Sequence, residues 1–239
     1  MVNKKKILFL GASITDGKIS VSYVKKLKEK LGTDSFDYFN HAVAGYEAYN
    51  VLNKLDKAVK INPDYVVLLV GTNDVTSSLD PVLGQRTRKW KHIPHEPTLE
   101  NYSKNITCII ERLKQETKSQ IALASLPVIG ENLESIENTT LDKYNSELKK
   151  ITKAQNIIYL PVNERQKSYL NDKIGGKGKD CINSTKLAFQ ALFKHYLLFT
   201  SLDSISYKNG FLLLTDGIHQ NSIGAGIIAS EIFEKLFEK

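Results

Sequence analysis

Apolar residues along this chain alternate between two patterns. Short unbroken runs mark strands buried on both faces, and stripes at helical spacing mark helices with one buried side. Runs over 7–11, 36–43, 65–70, 121–126 and 157–161 predict five strands. Stripes predict helices over 20–31, 47–59, 98–114, 141–153 and 186–198. The last of these follows Leu187, Phe189, Leu192, Phe193 and Tyr196. A final helix is capped by Asn221 and turns Ile223, Ile227, Ile228, Ile232 and Leu236 inward. Two stretches predict no regular structure. One is 75–97, with Pro81, Gly84, Pro94 and Pro97. The other is a mobile loop over 171–180, where Gly175, Gly176 and Gly178 stand among lysines.

Strands that alternate with helices predict an α/β fold, a parallel sheet covered on both faces. The chain reads as one domain over 1–239 with an insertion at about 165–210. In a parallel sheet the strand exits share one edge, and ligands bind there. Four exits carry small or polar groups: Ser13, Gly45, Asn73, and the pair Asp216 and His219.

Composition changes this picture little. Of 239 residues 41% are hydrophobic and 25% charged, as in an ordinary globular protein. The net charge of +7 is spread over lysine-rich helices and reads as a solvated surface, with no nucleic-acid partner indicated. The basic aromatic patch Arg86-Thr87-Arg88-Lys89-Trp90-Lys91-His92 has two readings, the mouth of a site or an exposed loop tip. The apolar run behind Lys4-Lys5-Lys6 is too short for a signal peptide. No run approaches the ~18 residues of a membrane span, so the expectation is a cytoplasmic protein. Cys108 and Cys181 have no metal or redox spacing and read as spectators. The oligomeric state is not legible.

The four exits together hold the parts of a serine hydrolase. A serine hydroxyl needs a neighbouring base, a histidine serves as that base, and a carboxylate orients the histidine. Asp216 and His219, three apart, can meet on one turn. The N–H groups of Ser13 and Gly45 and the Asn73 carboxamide can face an oxyanion. A phosphate loop is the other candidate at Gly11–Lys18, and it fails on spacing. Five residues separate Gly11 from Gly17, and Ile19 stands where the motif needs a hydroxyl.

Four blocks resemble the GDSL, or SGNH, hydrolase family: Gly11-Ala12-Ser13-Ile14, the run Asn40 to Gly45, Gly71-Thr72-Asn73-Asp74, and Asp216-Gly217-Ile218-His219. The resemblance implies a three-layer α/β/α, flavodoxin-like domain on five parallel strands. It also implies an enzyme that cleaves small acyl esters, acetyl esters of carbohydrates among them, with no metal or cofactor. The catalytic set would be Ser13, Asp216 and His219, with Ser13, Gly45 and Asn73 forming the oxyanion hole. One position departs from the family pattern, which has aspartate where this chain has Ala12. That departure keeps a second reading open, a non-catalytic carbohydrate-binding or scaffolding module on a decayed hydrolase fold.

Overall fold

Side chains alternate along a strand, and here neighbouring residues enter two different cores. The computed structural model describes residues 4–182 and 184–238. In chain order the elements are β1 Lys5–Gly11, α1 Ser13–Asp16, α2 Tyr23–Leu31, β2 Phe36–Asn40, α3 Ala48–Asn53, α4 Leu55–Val59, β3 Tyr65–Leu69, α5 Thr72–Leu79 and α6 Pro81–Lys91. Then follow α7 Leu99–Glu116, β4 Gln120–Ala124, α8 Ile136–Gln155, β5 Ile158–Leu160, α9 Val162–Ile174, α10 Ser184–Leu197, α11 Leu202–Asn209 and α12 Ser222–Leu236. All strand pairs are parallel, in the order β2-β1-β3-β4-β5.

Leu8, Leu10, Val66, Leu68 and Leu123 pack under α3, α4, α7 and α8. Their neighbours Ile7, Phe9, Val67, Leu69 and Ala122 pack under α2, α12 and the start of α9. This is the expected three-layer α/β/α arrangement. The chain leaves β1 for β2 on one side, then crosses to β3 on the other. The strand order therefore reverses between β1 and β3, and that reversal opens a crevice at their carboxyl ends.

Several boundaries differ from the sequence expectation. The segment 75–97 is mostly helical. Asp80 accepts the Val82 and Leu83 N–H groups at 2.9 and 3.0 Å, and Pro81 opens α6 where its missing N–H is not needed. Gly84 lets α6 approach α5, because a Cβ there would lie 2.6 Å from the Ser77 carbonyl oxygen. The expected helix 47–59 is split at Lys54 into α3 and α4. Helix α9 runs to Ile174, so the glycine-rich loop begins only at Gly175, which caps it in the left-handed region. Strand β2 ends at Asn40, whose side chain accepts the Ala42 N–H at 3.1 Å and turns the chain. Helices α10 and α11 and most of α9 fill the long excursion after β5. Among the described residues no helix is long and apolar enough to cross a membrane.

Candidate active site

Helix α12 begins where Asn221 accepts the N–H groups of Ile223 and Gly224, as its sequence position predicts. The loop before it carries Asp216 and His219. Asp216 is fully buried, and its two oxygens do different work. Oδ1 accepts the backbone N–H groups of Ile218 and His219 at 3.0 and 2.9 Å. Oδ2 lies 2.7 Å from His219 Nδ1. A carboxylate there requires a proton on Nδ1, which leaves Nε2 as an acceptor. Nε2 lies 2.9 Å from Ser13 Oγ. Ser13 and His219 keep 8% and 7% of their surface exposed, so the pair is shielded but open at one side. A hydroxyl, an imidazole and a carboxylate in this order can generate a nucleophile and stabilise the imidazolium that results.

Ser13 heads α1, the short turn that follows β1. The turn is closed by the Ala12 carbonyl, which accepts from Thr15 and Asp16 at 3.1 and 2.8 Å. The Asn40 side chain donates to the Thr15 carbonyl at 2.8 Å, and the Tyr23 hydroxyl donates to Thr15 Oγ1 at 3.0 Å. Ala12 itself is buried with the apolar core on one face of the sheet. The support that a family aspartate could lend thus comes from Asn40, Thr15 and Tyr23.

The Gly45 loop and Asn73 are joined through Tyr46. Gly45 has φ of +76°, which an L side chain adopts only with strain. The Asn73 amide donates one hydrogen to the Tyr46 carbonyl at 2.8 Å, leaving its second hydrogen free. Asp74 is buried, and its carboxyl group accepts the Ala48 N–H at 3.2 Å. The two neighbours thereby fasten the Gly45 loop to the start of α5. Gly71, at φ of +141°, starts that helix, and a Cβ would strike Tyr102 Oη at 2.6 Å. The Tyr102 hydroxyl in turn donates to the Val70 carbonyl at 2.9 Å. Burial pushes the Asp74 carboxyl well above the usual carboxylate range, helped by the nearby Glu47 charge and opposed by the Ala48 N–H. Glu47 is also raised by burial, against the Ser77 hydroxyl and Arg88.

One supporting residue escaped the sequence reading. Glu131 follows the buried run Leu126 to Gly130 and accepts the N–H groups of Leu212, Leu213 and Leu214 at 2.9, 2.7 and 3.1 Å. Gly130 donates to the Gly217 carbonyl at 2.7 Å. The loop after β4 therefore anchors the loop that holds Asp216 and His219. Burial raises the Glu131 carboxyl, and the three donors pull it back. A signal did exist: a carboxylate just past the fourth apolar run, on the same sheet edge as the other exits.

Two clefts border these loops. One of about 400 Å³ is lined by Tyr46, Asn50, Lys54, Trp90, Lys91 and His92. Lys91 Nζ sits 4.3 Å from the Trp90 ring centre and 5.2 Å from that of Tyr46. A second cleft of about 690 Å³ runs past Thr76, Asp80, Ile129, Glu137, Cys181 and Lys186. The basic patch is thus divided. Trp90, Lys91 and His92 stand beside the Gly45 loop, Arg88 pairs with Glu96 at 2.6 Å, and Arg86 and Lys89 are exposed. Burial pushes the Cys181 thiol up to about 12, which keeps it from serving as a thiolate. Among the described residues no three His, Cys, Asp or Glu side chains converge as a metal-ligand set.

Fold and site together fit a hydrolase of the SGNH type, as the four blocks lead one to expect. Residues 9–180 match the GDSL-like lipase/acylhydrolase family. The chain belongs to that family and is a carboxylic ester hydrolase. The match ends before Asp216 and His219, which join the site through the fold. Among solved structures, the acetyl xylan esterase AlAXEase is 19% identical with a TM-score of 0.69, over 96% of this chain and 98% of that one. The acetylxylan esterase Axe2 from Geobacillus stearothermophilus, as a catalytic serine-to-alanine mutant, is 16% identical with a TM-score of 0.68, over 100% and 97%. Other catalytic mutants of Axe2 replace an aspartate and a histidine, three positions apart. A search among curated protein sequences finds no match.

Proposed function

We propose that this protein hydrolyses small acyl esters, acetyl esters of sugars or similar polyols foremost, through a covalent acyl-Ser13 intermediate. The hydrogen-bonded series Ser13, His219, Asp216 carries the reading. His219 Nε2 takes the Ser13 proton as Oγ attacks the ester carbonyl. The N–H groups of Ser13 and Gly45 and the free Asn73 amide hydrogen hold the oxyanion. Collapse of the tetrahedral intermediate breaks the bond to the alcohol, which leaves with the proton from Nε2. Water then attacks the acyl-serine with His219 again as base, and the acid departs. Asp216 keeps the Nδ1 proton throughout.

Polar groups in the two clefts suit a hydroxyl-rich leaving group, and Trp90 offers a face on which a sugar ring can stack. The likeness to acetyl xylan esterases in fold supports the same substrate class. A fluorophosphonate probe is expected to label the wild type and to leave Ser13→Ala unlabelled. p-Nitrophenyl acetate turnover should fall by ~10³-fold or more in His219→Ala. Unchanged turnover in His219→Ala would remove the base assignment.

A further inference from the structure

Helix α10 carries apolar residues on two opposite sides. Its inner side packs through Ala191 onto Leu202 and Ile205 of α11. Its outer side presents Phe189, Phe193, Tyr196 and Leu197, and the chain continues into Leu198 and Phe199. Among the described residues nothing covers this outer side. Phe189 is 71% exposed, Phe193 56%, Leu197 65% and Phe199 91%. A second apolar stripe on a helix already packed on one side calls for a second packing partner. The sequence stripe through Phe189, Phe193 and Tyr196 predicts a core-facing side, and in the folded chain that side meets solvent.

We propose that this face of α10 is the interface of a symmetric dimer with a second copy of the chain. With ~200 Å² for a whole aromatic side chain, the six outer residues expose roughly 750 Å² in all, close to the ~800 Å² that each partner gives to a stable interface and above the few hundred Å² usual on a monomer. The shape also fits. The helix spans about 21 Å, so a two-fold axis near its middle brings each Phe193 to the partner's Phe189 side, as an isologous contact requires. A lipid surface fits less well. Membrane-surface helices carry a Lys/Arg-rich polar side opposite the apolar one, whereas here the opposite side is packed on α11 and the helix holds only Lys186 and Lys194.

The dimer reaches toward the candidate site. The Tyr196 hydroxyl donates to the Lys18 carbonyl at 2.9 Å, five residues past Ser13. At its other end α10 begins beside Cys181 on the larger cleft. The partner would therefore stand at the rim of the crevice and wall one side of it. The interface is independent of the catalytic assignment.

Sedimentation or light scattering at high-micromolar concentration tests this directly. Wild type is expected at twice the chain mass. Phe189→Glu with Phe193→Glu should run at the single-chain mass, with its far-UV circular dichroism and p-nitrophenyl acetate turnover kept and its melting temperature somewhat lowered by loss of the partner. If that variant does not fold, Gln190→Cys in a Cys108→Ser background decides. Residue 190 lies at the middle of α10 on its exposed side, and mild oxidation should link two chains through it. A monomeric wild type overturns the proposal, as does a dimer that survives both glutamates or shows no cross-link. A monomer that co-sediments with phosphatidylcholine–phosphatidylglycerol vesicles overturns it too, and gives the face to lipid.

Discussion

Asn73 has two hydrogens on its amide nitrogen, and the fold commits one of them to the Tyr46 carbonyl. That single bond aims the other hydrogen and ties down the Gly45 loop. On the oxyanion role proposed above, Asn73→Ala should lower kcat by ~10²–10³-fold, the loss typical of one such donor, measured on p-nitrophenyl acetate. KM should change far less, since the donor acts as charge develops on the oxygen. The part played by Ala12 is also settled by single contacts. Asn40 and Tyr23 hold the turn from outside it, so the missing aspartate leaves Ser13 in register with His219. The positions of Ser13, Gly45 and Asn73 after the first three strands, and the three-residue spacing of Asp216 and His219, were legible in the sequence because they are local patterns, although the loop of Asp216 and His219 follows α11 and not a strand of the sheet. The sequence could not announce Asn40 or Tyr23 as the props of Ser13, because their partners are set by how α2 and β2 pack around β1.

At the scale of elements, each loop of the site is fastened to another loop and not only to its own strand. Glu131 is the firmest of these fasteners. Glu131→Ala strips three backbone N–H groups of their acceptor, which should cost at least about 2 kcal/mol and lower kcat by releasing the Asp216 loop. Glu131→Gln keeps one oxygen in place and should restore much of both. Thermal melting with parallel kcat and KM values would check this, and a kcat that stays at wild type in the alanine variant would make Glu131 purely structural. The strands and seven of the twelve helices were legible because unbroken apolar runs and stripes with a period of 3.6 are written locally. Helix α6 was not, because Pro81 and Gly84 read as breakers. A proline in the first turn and a glycine at a close helix contact are compatible with a helix, but only the packing reveals which case applies. Helix α10 fails in another way. Its period is correct, yet the stripe faces away from the chain's own core.

Across the whole molecule the site is also a store of buried acid. Asp74 and Glu47 keep their protons in the folded state at a pH where the unfolded chain has released them. Their contribution to stability is fully present below the unfolded value near 4, and it is lost as pH rises toward the raised folded values. His41, lowered by burial and by Lys57, acts in the opposite sense below about 6.5, so the clean measurement is a difference. Asp74→Asn removes one of these acids and leaves Glu131, which burial also raises, and His41 in place. Its melting temperature should fall less than that of wild type between about pH 5 and pH 8. Parallel slopes for the two proteins would show that Asp74 is ionised in the fold.

The crevice joins distant parts of the sequence. The hydroxyl of Ser13 lies 206 positions from the imidazole it meets. All five strands are complete by Leu160, so a chain emerging from the ribosome has its entire sheet long before it has His219. On the roles proposed above, every partly made copy carries a nucleophile without a base. Hydrolytic competence then waits until residue 219 has emerged and α12 can dock against α2, and the order of synthesis itself keeps shorter nascent chains from acting on esters.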